Sequence, residues 1–134
     1  MTHQDITGSI DRFVNAVNEG DYVGALEHFT PDATIVEDIP PYRWQGPQAG
    51  AQWMAAMGEN AARSGMTGIA MQLGEATRVE IDAGNAYAVF SALLILSGNG
   101  PPLQAAGCLI FSLRRAEAGW LINTLAWGGP VPQP

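Results

Sequence analysis

Residues 13–38 read FVNAVNEGDYVGALEHFTPDATIVED, and three changes of conformational preference fall within these twenty-six positions. Upstream, Ile6, Ile10, Phe13, Val14 and Val17 recur at helical spacing. Thr2 or Asp5 is suited to cap the start of that helix, and Gly20 stops it. Asp21 then caps a second, shorter helix, YVGALEHFT, whose expected core face is Val23, Leu26 and Phe29. Pro31-Asp32 breaks it. Ala33 to Asp38 begins a strand, which Pro40-Pro41 ends because proline has no amide hydrogen to donate to a ladder.

Working outward, Tyr42-Arg43-Trp44 reads as a short return strand. Gly46-Pro47 opens a third helix running to about Arg63, with Trp53, Met54 and Met57 on its apolar side. Beyond Gly68 the period changes to two. The stretch from Met66 to Asp82 alternates through Ile69, Met71 and Leu73, slips phase near Gly74-Glu75-Ala76, and resumes at Val79 and Ile81. A slip at glycine in a long strand signals a bulge. Three more strands follow, separated by turns at Asp82–Asn85, at SGNGPP and at AEAG. Residues 128–134, GGPVPQP after Trp127, read as an irregular tail. The chain is expected to be one α+β domain over residues 1–134, with helices packed on one face of a strongly bent, mainly antiparallel sheet.

Two strands, Tyr87–Leu96 and Ala105–Leu113, are apolar at both parities over much of their length. Helices cover only one face of an antiparallel sheet. The other apolar face is therefore expected to meet a second copy of the chain in a homodimer.

The chain has 134 residues, 47% of them hydrophobic and 14% charged, which suits a folded rather than a disordered protein. Its formal charge is −7, and its six basic residues are all arginine. Such a balance argues against nucleic acid and against anionic membrane surfaces as partners. One cysteine, Cys108, allows no internal disulfide. The opening residues lack the apolar stretch of a signal peptide, and no apolar run is long enough to span a bilayer, so a cytoplasmic location is expected.

The order of elements, with the phrases FVNAVNEGDYVGALEHFTPDATIVED and RRAEAGWLINTLAW, resembles the superfamily of nuclear transport factor two, ketosteroid isomerase and SnoaL-like proteins. The likeness extends over nearly the whole chain and is strongest from Val17 to Asp38. It implies a cone: a curved sheet wrapped around the first helix, enclosing a deep apolar pocket with one open end. The superfamily is functionally mixed, holding isomerases, cyclases, dehydratases, epoxide hydrolases and non-catalytic carriers. Its enzymes place one or two acid/base side chains on the pocket wall and use neither metal nor organic cofactor.

Glu37-Asp38 is the leading catalytic candidate. In the ketosteroid isomerases a strand of similar wording carries the carboxylate that shuttles a proton beside a carbonyl. Counting back from Gly46 puts Glu37 at that position, whereas the ED-x-P text puts Asp38 there, and the motif favours Asp38. Successive strand residues face opposite ways, so Ile35 with Glu37 or Val36 with Asp38 forms the inward set. A carboxylate in an apolar cavity has its pKa raised toward the range of a useful general base. Two acids at a strand end beside prolines can equally face solvent.

The isomerases' oxyanion-binding pair has no counterpart. The matching first-helix position is Phe13, and the matching late-strand position falls at Gly107 or Cys108, so authentic steroid isomerase activity is not expected. Tyr42, Trp44, Tyr87 and Trp127 carry polar tips able to enter a cavity while their rings pack, and core packing is the ordinary role of a tryptophan. Met57, Cys108 and Asn123 are further candidates for ligand contact. His28, at the edge of the second helix's core face, is a third acid/base candidate. With His3 so distant, no metal-binding spacing arises and no cofactor is expected.

Two functions follow. One is a cofactor-independent enzyme performing isomerisation, cyclisation or dehydration on a small apolar carbonyl compound. The alternative is a non-catalytic module that binds a small apolar ligand or dimerises.

Overall fold

A computed structural model of the chain describes residues 2–134. Helices α1 (His3–Asn18), α2 (Tyr22–Leu26) and α3 (Ala49–Arg63) accompany six strands. The strands are β1 (Phe29–Val36), β2 (Arg43–Gln45), β3 (Met66–Asp82), β4 (Asn85–Gly98), β5 (Gly100–Ala116) and β6 (Gly119–Gly128). They form one sheet in the order β2-β1-β6-β5-β4-β3. Every pairing is antiparallel except β1 with β6. The last four strands form an antiparallel meander, and β1 pairs in parallel with β6 at its edge.

Local chemistry sets the helix ends. Thr2 and Asp5 together make a reciprocal capping box: the Thr2 hydroxyl accepts from the Asp5 amide and the Asp5 carboxylate accepts from the Thr2 amide. At the other end, Gly20 takes a φ of +76°, a left-handed conformation that side chains with a Cβ resist. Asn18 then ties α1 to β3. Its amide donates to the Met71 carbonyl at 2.8 Å, and its side-chain oxygen accepts from the Met71 amide at 2.9 Å.

Helix α2 departs from expectation. It ends at Leu26, Val23 is exposed, and Ala25 is its buried residue. Phe29 instead begins β1, and Pro31-Asp32 lie within that strand rather than breaking a helix. The β1–β6 register shifts between Phe29 and Thr34, so Pro31 sits where the ladder is already interrupted and its missing N–H costs no regular bond.

Strand β3 bends where its phase slips: the register with β4 shifts between Leu73 and Ala76 and again before Arg78. That bulge curls the sheet around α1 and α3. Ile6, Ile10 and Phe13 of α1 and Trp53 of α3 are almost wholly removed from solvent against Phe111, Leu109, Ile122 and Leu125 on the inner sheet face. The opposite face carries Val89, Leu93, Ile95 and Ile110, all half-buried. Residues 129–134 lack regular structure apart from one bridge between Gln133 and Gln104.

Candidate functional site

The register of β1 decides which acid enters the cone. Ala33, Ile35 and Glu37 are buried in alternation, whereas Val36 and Asp38 are exposed. Ala33 and Ile35 face the core, so the residue two further on must also point inward. The motif favours Asp38 as the inward acid, and the burial pattern corrects this: Glu37 is buried and Asp38 exposed. Glu37 is only 9% exposed.

Its surroundings are mostly apolar, with one fixed side-chain donor. The indole N–H of Trp53 donates to Glu37 Oε1 at 3.2 Å. The other oxygen, Oε2, is buried without a hydrogen-bond partner among the described residues. Trp53 is held in turn by Phe13, stacked at 6.2 Å between ring centroids, and by Phe29, edge-on at 6.4 Å. Burial pushes the Glu37 carboxyl up from its ordinary 4.5 to about 7; the Trp53 hydrogen bond opposes this, and the charge of Asp38 adds to it.

Glu37 opens onto a cavity of about 270 Å³. Asp38, Asn60 and Ser64 contribute polar groups to its lining, and Ile39, Met57, Ile69, Leu94, Leu96 and Leu103 contribute apolar ones, with Val131 and Pro132 from the last residues. A larger recess of about 440 Å³ over the β3 bulge, lined by Gln72, Gly74, Ser91 and Leu93 among others, holds no titratable side chain. A third recess, of about 330 Å³, is lined by Asp5, Arg12 and Arg115 among others. The cavity at Glu37 is the one that holds a buried carboxyl.

The remaining sequence candidates are dispersed. His28 packs edge-on to Phe13 at 6.1 Å and does not line the cavity; burial, then the Arg12 charge, lowers its pKa. Phe13 is sealed in the aromatic cluster, and Trp44 is buried on β2. Tyr42 is 57% exposed in the turn after Pro40-Pro41. Tyr87 lies on the outer sheet face, with the Arg78 guanidinium 5.6 Å from its ring centre. Cys108 is half-buried between Ser91 and Gly128 on neighbouring strands. Asn123 donates to Thr30 Oγ1 at 3.0 Å, tying β6 to β1. Trp127 is buried, and its indole N–H has no partner among the described residues. Of the eight ligand-contact candidates only Met57 lines the cavity.

Sequence reasoning missed Trp53 as a site residue. The available signal was a buried tryptophan one helical turn before Met57, whose N–H needed an acceptor. It also missed the wall made by Leu103, Val131 and Pro132, for which no local signal exists. Among the described residues, no three of His, Cys, Asp and Glu come together as a metal site, and no helix is long and apolar enough to cross a membrane.

A helix-filled cone closed by a six-stranded, mainly antiparallel sheet is the architecture of the nuclear-transport-factor-two-like superfamily. Within it, residues 2–126 match the model of the SnoaL-like domain, and the chain belongs to that family. No curated protein matches it by sequence. Solved structures do. A proposed scytalone dehydratase from Novosphingobium aromaticivorans superposes with a TM-score of 0.81 at 10% identity, covering 97% of this chain and 85% of that one. A protein of the same organism, described as NTF2-like with a cystatin-like fold, gives 0.74 at 21%, covering 92% and 79%. A hexachlorocyclohexane dehydrochlorinase from Novosphingobium barchaimii gives 0.75 at 15%, covering 96% and 86%. At these identities the likeness is one of fold.

Proposed function

We propose that the chain is a cofactor-independent acid/base enzyme of isomerase or dehydratase type, with Glu37 as its proton shuttle and a compact, mostly apolar carbonyl compound as substrate. The observation that carries this is Glu37 itself: a carboxyl buried in an apolar cavity, one oxygen held by Trp53 and the other unpartnered. A base whose pKa lies near 7 is ionised in a useful fraction at neutral pH while retaining driving force for abstraction.

In the proposed step, the Glu37 carboxylate takes a proton from a carbon beside the substrate carbonyl, and the C–H electron pair moves into the enolate. The resulting carboxylic acid then returns the proton. Delivered to another carbon, it completes an isomerisation; delivered to a β-hydroxyl, it releases water and completes a dehydration. Asn60 is the lining side chain whose amide can donate a hydrogen bond to the enolate oxygen, since the Ser64 hydroxyl donates to the Asn60 backbone carbonyl at 3.2 Å. Steroid isomerisation is not part of this reading, because Phe13 has no hydroxyl and is sealed away from the cavity.

The dehydratase and dehydrochlorinase names among structural neighbours support the reaction class by analogy of fold alone. The apolar outer face of β4 and β5 supports a homodimer assembled through it.

The test is hydrogen–deuterium exchange at the α-carbon of a panel of small cyclic ketones and enones in D2O, followed by NMR. Catalysed exchange by the wild type, abolished in Glu37→Gln and retained in Asp38→Asn, is the expected result. Saturable binding without exchange in any of the three proteins would establish the non-catalytic binding module instead.

A further inference from the structure

The last residues described are part of the cavity. Val131 and Pro132 line it together with Glu37, Leu96 and Leu103. The segment that carries them is attached in an unusual way. Strand β6 ends at Gly128, opposite Cys108, which leaves the preceding part of β5 with a free edge on that side. Gln133 returns to this edge and exchanges both backbone hydrogen bonds with Gln104, at 2.7 and 2.8 Å. Five steps of chain from Gly128 to Gln133 thus span four on β5, so the segment bows away from the ladder.

It cannot zip up further. Pro130 and Pro132 have no amide hydrogen, so the stretch between the two anchor points offers few donors to β5. At its root, Gly129 presses on the Trp127 indole: a Cβ there would lie 2.7 Å from Trp127 Cζ2 and 3.3 Å from the Gly107 Cα. One end is therefore packed tightly and the other is held by a single two-bond bridge.

We infer that residues 129–133 are a releasable wall of the Glu37 cavity: Val131 and Pro132 contact the ligand, and the Gln104–Gln133 bridge opens to admit it. The inference rests on the proposed function only in taking this cavity as the ligand site. The wall that the segment adds is wholly apolar, and Leu103 next to Gln104 continues it, so it grips the apolar end of a compact ligand. Segment and cavity together then decide ligand size as well as access.

The test uses a reversible lock. In antiparallel sheets, residues that exchange both hydrogen bonds have Cα atoms about 5.5 Å apart, within the range a disulfide accepts. Gln104→Cys with Gln133→Cys, in a Cys108→Ser background, gives a cross-link that dithiothreitol removes. Entry of 2-naphthol, an apolar fluorescent probe, is followed by stopped-flow fluorescence in the oxidised and reduced forms of the same protein. The oxidised form is expected to admit the probe at least tenfold more slowly, with full recovery on reduction. A second variant lacking residues 130–134 is expected to bind the probe at least tenfold more weakly. Equal entry rates in the two redox forms overturn the gate, and an unchanged Kd on deletion overturns the wall. Saturable probe binding absent from the wild type removes both. Neither readout depends on turnover, so a gate without proton exchange, or exchange without a gate, separates this inference from the role of Glu37.

Discussion

Trp53 on α3 donates its indole N–H to the carboxyl of Glu37, sixteen positions earlier, across 3.2 Å in the buried wall of the cone. This bond fixes one oxygen of the acid, while the other is buried without a hydrogen-bond partner among the described residues. It favours the ionised carboxylate, whereas the surrounding burial favours the neutral acid, and burial prevails.

Replacing Trp53 by phenylalanine keeps most of the ring and removes the donor. Glu37 Oε1 is then buried without a partner, and stability is expected to fall by about 1–3 kcal/mol. The Glu37 pKa is expected to rise further, because the Trp53 hydrogen bond is the larger of the interactions lowering it. A carbon-13 NMR titration of the glutamate carboxyls alongside urea melts measures both. An unchanged or lower pKa would show that the bond does not act on the acid as described.

The raised pKa of Glu37 makes stability depend on pH in a defined direction. Between about pH 4.5 and 7 the folded protein keeps a proton that the unfolded chain releases. This contribution is therefore fully present below pH 4.5 and lost as pH rises to about 7. His28, with its lowered pKa, has the opposite sign: its contribution is present above the ordinary 6.5 and lost as pH falls below it. Comparing the wild type with Glu37→Gln cancels the histidine. Relative to the wild type, the variant should gain roughly 3 kcal/mol on going from pH 4.5 to pH 8. Urea melts across that range are the measurement, and parallel curves would contradict the buried placement of the acid.

On activity, Glu37→Gln should lower the rate of proton exchange by roughly 10²-fold or more, the scale of a positioned general base. Asp38→Asn should change it far less, because Asp38, although it also lines the cavity, is exposed rather than buried. The reverse ranking would restore Asp38 as the base.

Two glycines separate close packing from open surface. A Cβ at Gly107 would collide with the Gly128 carbonyl oxygen and come within 2.9 Å of the Trp127 ring, so Gly107→Ala is expected to cost about 1–3 kcal/mol. Gly58, in the middle of α3, has nothing within 4 Å of a Cβ. Gly58→Ala should stabilise by about 0.5–1 kcal/mol through helix propensity. Thermal melts of the pair test both signs at once.

The outer sheet face is tested by one charge. Light scattering should give a dimer for the wild type at micromolar concentration and a monomer for Ile110→Glu, with the fold intact by circular dichroism. A wild-type monomer would remove the dimer proposal.

Local pattern made most of the fold legible. The spacing of Ile6, Ile10, Phe13 and Val17, the caps at Thr2 and Asp21, and the slip at Gly74 all depend on residues within a turn or two of one another. Where neighbours in sequence conflict, the pattern misled: Val23 sits at helical spacing, but α2 ends too soon to bury it. The SnoaL-like resemblance also rests on local wording, in two phrases at either end of the chain and strongest from Val17 to Asp38.

The amino-acid sequence alone therefore determined most of the elements, their order and the pair of acids that are the candidates for the proposed base. Only the tertiary structure decided between them, because strand alternation names two faces without saying which one the core takes. Packing of Ala33 and Ile35 into the cone turned Glu37 inward. The same holds for Trp53, Leu103 and Val131, which meet at one cavity from distant parts of the chain. Their convergence depends on the bend of β3 and the path of the chain past Gly128, and these are set by long-range pairing that no local spacing encodes.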